Sequence, residues 1–221
     1  MPRGNMPRLV LPLAIAALLL AAIAPAQAQD KSTPLPTPLG LRGFNLGATL
    51  DEIRRQKFPD QTVDDVRLIC TGDKLSDEAR MNFGPDNDLG KIGVKRCSFY
   101  STANDKVREI QLNVGGKDST VRFLITPKSA DPAISERLFQ IVVRTESAHF
   151  DDLEAAYVAR YGQPVTHSRS NNRYRIWESR HATLVMIDEP PTLDITYLDT
   201  KLERIVGALE KKAANPGADK L

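Results

Sequence analysis

Apolar positions recur along this chain with two periods, and the switches between them mark out the elements. Thr49 stands three residues before Glu52, the spacing of a capping box, with Leu50 and Ile53 behind it. This predicts a short helix from Leu50 to Phe58, stopped by Pro59. Period-two runs follow: Val66, Leu68 and Cys70; Lys95, Cys97 and Phe99; Ile110, Leu112 and Val114; Val121, Phe123 and Ile125. Thr71 to Gly90 is polar and reads as a loop, and Asn104-Asp105 as a two-residue turn. Beyond a Pro-containing loop, Pro127 to Pro132, comes a strand through Phe139, Ile141 and Val143, with Leu138 and Val142 making it apolar on both faces.

The period then changes. Phe150, Leu153, Tyr157 and Tyr161 form one helical stripe, with Asp151 and Asp152 in the first turn, Gly162 at the end and Pro164 beyond. Strands are predicted at Arg173 to Glu178, Ala182 to Asp188 and Leu193 to Leu198. Thr200 with Glu203 spells a second capping box, ahead of an apolar stripe through Leu202, Ile205, Val206 and Leu209. The fold class is therefore α+β, an antiparallel sheet with helices packed on one face. Leu50-Asp51-Glu52-Ile53 and Phe150-Asp151-Asp152-Leu153 open two helices with one pattern, which suggests two tandem similar lobes, 43–126 and 127–213, with a disordered tail at 214–221.

The first 28 residues have another character. Arg3 and Arg8 precede an apolar run from Leu9 to Ala24, and Ala26 and Ala28 fit an A-x-A cleavage site, so 1–28 reads as a secretory signal cleaved after Ala28. The run is shorter than the ~18–20 residues that span a bilayer core, and no second run of spanning length follows, so no membrane span is expected after cleavage. The expected location is the periplasm, or outside the cell. Pro34, Pro36 and Pro38 make 29–42 a Pro-rich leader, either an extended tether or a disordered one.

Charge and cysteines narrow the function. Arg3 and Arg8 are the only charged residues of the signal, so the remaining 28 basic and 28 acidic residues cancel. That excludes a basic nucleic-acid binder. Cys70 and Cys97 are the two cysteines, and an even pair in an exported chain reads as one disulfide. Its core-side strand positions fit, and the chain-entropy model values such a loop at about 3.5 kcal/mol. The three histidines, His149, His167 and His181, lack metal-ligand spacing, so neither a metal nor a cofactor is expected.

Candidate chemistry is sparse. G-x-S-x-G, the P-loop, H-E-x-x-H and G-x-G-x-x-G are all missing from the sequence, so no catalytic residue is assigned and the chain reads as a non-enzyme. Asp86-Asn87-Asp88-Leu89-Gly90 lacks the further ligands of a calcium loop. His167 to Arg175 holds Arg169, Arg173 and Arg175 without an acid. Guanidinium forks suit phosphate or carboxylate, so these three are the candidate anion or partner contacts; a solvated hairpin is the alternative. Trp177 reads as core.

Gly43 to Ile53, and Phe150 to Pro164 with its Tyr161-Gly162-Gln163-Pro164 close, resemble the fold shared by β-lactamase-inhibitor protein and the small lipoprotein of the outer-membrane assembly machinery. The likeness covers about 30 residues of the mature chain, and its motifs are structural. It implies helices on a curved antiparallel sheet, sometimes in tandem, and work by binding proteins or envelope components. No functional residue carries over, and the lipoprotein cysteine is missing from this sequence. The leading expectation is a periplasmic protein that binds another envelope protein. The alternatives are a carrier of a small apolar or amphiphilic ligand, which the doubly apolar strand at Leu138 to Val142 suggests, and a hydrolase with a dispersed site.

Overall fold

A computed structural model of the chain describes residues 35–60, 65–74, 88–102, 107–168 and 173–215. The signal segment with its cleavage site at Ala28, the Asn104-Asp105 turn, Arg169 and the last six residues lie outside the described residues.

The chain opens with a two-residue hairpin, β1 (Gly40–Leu41) and β2 (Phe44–Asn45). Its connecting residues, Arg42 and Gly43, both have positive φ, 49° and 95°, as a type I′ turn requires. Helix α1 (Leu50–Arg55) follows with the expected capping box: Glu52 N–H donates to Thr49 Oγ1 at 3.2 Å, and Thr49 N–H donates to Glu52 Oε2 at 2.7 Å. The helix stops three residues short of Phe58. Gln56 is already extended, and the Phe58 ring leaves the helix line to pack edge-on against Phe99, 5.0 Å between centroids.

Next come β3 (Val66–Cys70), a single helical turn α2 (Asp88–Lys91), β4 (Lys95–Ser101), β5 (Arg108–Glu109), β6 (Leu112–Val114), β7 (Lys117–Ile125) and β8 (Leu138–Glu146). The continuous strand predicted through Ile110 is split, because β5 pairs with β4 whereas β6 pairs with β7. A 3₁₀ turn, Ser147–His149, leads into α3 (Phe150–Tyr161). Then follow β9 (Thr166–Ser168), β10 (Arg173–Glu178), β11 (Ala182–Glu189), β12 (Thr192–Asp199) and α4 (Thr200–Ala214).

Among the described residues these strands form one ten-stranded antiparallel sheet, β3-β4-β7-β8-β12-β11-β10-β9, with β5 and β6 as side pairings. The order is symmetric about the β8–β12 seam. On each side a helix is followed by strands that wind from the outer edge inward: α1 before β3, β4, β7 and β8; α3 before β9, β10, β11 and β12.

The two sheet faces are covered differently. On one face the inward residues of both halves meet α1 (Leu50, Ile53) and the α3 stripe, Phe150, Leu153, Tyr157 and Tyr161, in a single apolar cluster. Phe44, Phe99 and Phe123 pack together there, with centroids 5.1–5.6 Å apart. From Leu35 onward the Pro-rich leader is no solvated tether: Leu35, Leu39 and Leu41 lie in the same core. The segment bends at Thr37 and Pro38, and Leu35 and Leu39 supply the apolar surface that holds it down.

The other face receives α4. Helices on one face therefore describes α1 and α3, while α4 adds a second layer. Leu202 and Val206, one turn apart, cover Phe139, Leu124 and Val94. This is why β8 is apolar on both sides: Leu138, Ile141 and Val143 face the main core and Phe139 faces α4. The cap of α4 lies one residue earlier than the Thr200–Glu203 box. Asp199 accepts from the N–H groups of Lys201 and Leu202, at 3.0 and 2.9 Å, and Thr200 becomes the first helical residue. Among the described residues no helix is long and apolar enough to cross a membrane.

Cys70 and Cys97 form the expected disulfide. They stand opposite each other on β3 and β4, fully buried, so the bridge fastens an edge strand from the core side. The closed loop spans 27 residues. Replacing both cysteines by alanine is expected to cost about 3 kcal/mol, read as a lower denaturant midpoint than that of the oxidised protein. An unchanged midpoint would show that the edge strand holds without the bridge.

Candidate functional site

Helix α3 is tied to the sheet at successive turns, and the ties define a cleft along its flank. Asp152 pairs with Lys117 of β7 at 2.9 Å, and Asp151 with Arg173 of β10 at 2.9 Å. Glu154 is held by the fork of Arg175, whose Nη2 donates to Oε2 at 2.9 Å while Nε reaches Oε1. Further along, the Tyr157 hydroxyl meets the Tyr197 hydroxyl of β12. At the C-terminus, Trp177 Nε1–H donates to the Gly162 carbonyl at 2.8 Å.

Where α3 faces the N-terminal hairpin and the β6–β7 turn, space remains. A cleft of about 420 Å³ is walled by Leu41 and Gly43 on one side, by Val114 and Gly115 on the second and by Ala156 and Arg160 of α3 on the third. Tyr157, Tyr161 and Tyr197 line its interior. Gly115 is required there: its φ is +60°, and a Cβ would sit 2.6 Å from Leu153 Cδ2 of α3. The hairpin wall is fixed by Arg42, which donates to the Asn113 carbonyl at 2.6 Å and pairs with Asp60 at 2.8 Å. Asp60 also accepts from the Asn113 N–H at 2.9 Å, so one carboxylate joins two walls.

The polar equipment is unusual in two respects. Tyr161 is only 2% exposed, and its hydroxyl stands apart from the Tyr157–Tyr197 hydroxyl pair; the one buried side-chain polar atom without a hydrogen bond among the described residues is Thr200 Oγ1, outside the cleft. Arg160 is exposed, holds its guanidinium 5.2 Å from the Tyr161 ring centroid, and is paired with no carboxylate among the described residues. Burial pushes the Tyr157 phenol up to about 12 and the Tyr197 phenol well above its usual value, and raises that of Tyr161. The three hydroxyls are therefore neutral donors and acceptors, not bases, at physiological pH.

The residues singled out in the sequence are placed elsewhere. Arg173 and Arg175 lie on β10 and spend their charge inside the chain. Arg173 binds Asp188 as well as Asp151 and lies 4.2 Å from the Phe150 ring centroid. Arg175 is 7% exposed; besides Glu154 it donates to the carbonyls of Ser168 and Tyr174. Asp188, itself buried, also accepts from the Ser147 hydroxyl. These arginines answer internal carboxylates and tie α3 down. Trp177 is core, as expected. Asp88 pairs with Lys91, and among the described residues no three His, Cys, Asp or Glu side chains group as a metal site would need.

Comparison with protein-family models, with curated proteins and with solved structures gives no significant match to this chain.

Two outcomes follow from this geometry. Glu154→Ala leaves a buried guanidinium unpaired and is expected to cost about 2–3 kcal/mol, whereas pairing it with Arg175→Met should recover most of that loss in a double-mutant cycle. Equal losses in the single and double variants would remove the ion pair from the account. In alkaline solution, the raised phenol values of Tyr157, Tyr161 and Tyr197 leave stability intact below about pH 10, where folded and unfolded hydroxyls are both protonated. Between about pH 10 and 12 the unfolded chain loses protons first, so stability falls. Ultraviolet titration should show the phenolate absorbance of these three tyrosines appearing above pH 10 and together with unfolding; reversible titration of all five tyrosines near pH 10 in the folded protein would contradict the burial.

Proposed function

We propose that this chain is an exported, non-enzymatic binding protein that takes a small amphiphilic ligand in the tyrosine-lined cleft. The observation that carries the reading is the cleft itself: a preformed space of about 420 Å³ between three walls, lined by Tyr157, Tyr161 and Tyr197, within the usual range for small-molecule sites. Walls that mix Leu41, Val114 and Ala156 with Arg42, Asn113 and Arg160 favour a ligand of mixed character. Export is supported by Arg3, Arg8, the Leu9–Ala24 run and the Ala26 and Ala28 pair, and by a disulfide that suits an oxidising compartment.

A second reading, binding of another envelope protein, has an observation of its own. On the α4 side of the sheet, beyond the cluster that covers Phe139, Tyr174 stands opposite Ile187 and Ile176 opposite Val185. These four are half-buried or exposed, an apolar ladder on β10 and β11. The symmetric strand order and the sequence resemblance to a fold of binding proteins support it too. The doubly apolar β8, by contrast, no longer supports a ligand, because α4 covers its second face.

Native mass spectrometry of the protein taken from periplasm tests the first reading. The expected result is a mass increment of small-molecule size that is lost on denaturation, and that Ala156→Trp, at an exposed position on the cleft wall, prevents. A bare chain that also takes up no lipid-like probe would sink the ligand reading and direct work to photo-crosslinking from Val185.

A further inference from the structure

The cleft's charge is one-sided. Among the described residues its lining carries two guanidiniums, Arg42 and Arg160, three tyrosines and two asparagines, and no carboxylate. The acids nearby are already committed. Asp60 neutralises Arg42, and on α3 Asp151, Asp152 and Glu154 are each paired with a sheet cation. Arg160 is left over. It stands in the last turn of α3 with its guanidinium 5.2 Å from the Tyr161 ring centroid, and both side chains line the cleft. A fork with free donors next to a neutral hydroxyl donor matches an oxyanion, which can accept from both. Behind them Leu41, Val114 and Leu153 give the cleft an apolar interior.

From this juxtaposition, and resting on the ligand reading above, we infer that the cleft selects anionic amphiphiles: a single carboxylate or phosphate head held by Arg160 and the Tyr161 hydroxyl, with an apolar body laid between α3 and the N-terminal hairpin. A cationic head would meet two guanidiniums and no acid. A neutral alcohol would forgo the charge-assisted bond, which is worth about a factor of ten or more in affinity.

Four probes with one chain length separate the possibilities: dodecanoate, dodecyl phosphate, dodecanol and dodecylamine, titrated into the full protein below their micellar concentrations by calorimetry. One or both anions should bind about tenfold or more tightly than dodecanol, and dodecylamine most weakly. Dodecanoate ahead of dodecyl phosphate would assign a free carboxylic acid as the source, and the reverse order a phosphate-headed lipid. Arg160→Glu should bring the ratio of anion to dodecanol affinity down to about one or below; Tyr161→Phe should weaken the anions several-fold. Because Arg160 is exposed, its variant keeps the fold, which circular dichroism checks. Dodecanol or dodecylamine binding as well as the anions, blocked by Ala156→Trp, would overturn the anion selectivity and keep the cleft. Failure of all four probes to bind would overturn both.

Discussion

The fork of Arg175 around Glu154 sets where α3 lies on the sheet, and the cleft depends on that placement. Arg175 is buried, so its charge needs a partner, and four of its contacts fix the guanidinium in one orientation. The Phe150 ring packs against it from the helix side, with the guanidinium 5.1 Å from the ring centroid. With α3 pinned there, Tyr157 meets Tyr197, Leu153 closes against the Gly115 turn, and the cleft lies along the flank from Ala156 to Tyr161. Few side chains in those two walls are large enough to close the remaining space, and Gly40, Gly43 and Gly115 contribute none.

The sheet supplies a rigid base for this arrangement. Its centre, β8 and β12, is buried on the main-core face by α1, α3 and the leader, and Phe139 on the other face by α4. Its edge at β3 is cross-linked by the disulfide to β4. The symmetric winding from edge to seam gives each half its own leading helix. The halves differ in use, because α3 borders the cleft whereas the first half lends it only the β6–β7 turn and the hairpin. The uncovered ladder on β10 and β11 lies on the opposite face from the cleft, so a ligand and a protein partner would not compete for the same surface.

The strongly periodic segments were legible before any coordinates. The α3 stripe, the Thr49–Glu52 capping box and strands β7, β8, β10, β11 and β12 follow from spacing alone, because a one-residue slip would turn every apolar side chain to the wrong face; β9, inside the basic window, does not. Boundaries failed where tertiary contacts compete with local preference. Phe58 abandons α1 for Phe99; Asp199 outcompetes Thr200 as a cap because it reaches two backbone N–H groups. The leader was read by its prolines, and the leucines that bury it were passed over. The site was not legible. Arg173 and Arg175 stood out because the window from His167 to Arg175 holds no acid, yet Asp151, Glu154 and Asp188 come to them through the fold.

By itself, then, the sequence determined the α+β class, the disulfide pair and the apolar faces, all of which are written in local periodicity and residue type. Only the tertiary structure decided which charges are spent and which are left. Arg160 looks ordinary in the sequence, one basic residue in the last turn of a helix. It becomes distinctive once residues near 40, 114, 160 and 197 meet around one cleft and, among the described residues, Asp60, Asp151, Asp152 and Glu154 prove to be taken. Charge compensation acts over a few ångströms in space, and sequence separation says nothing about that distance.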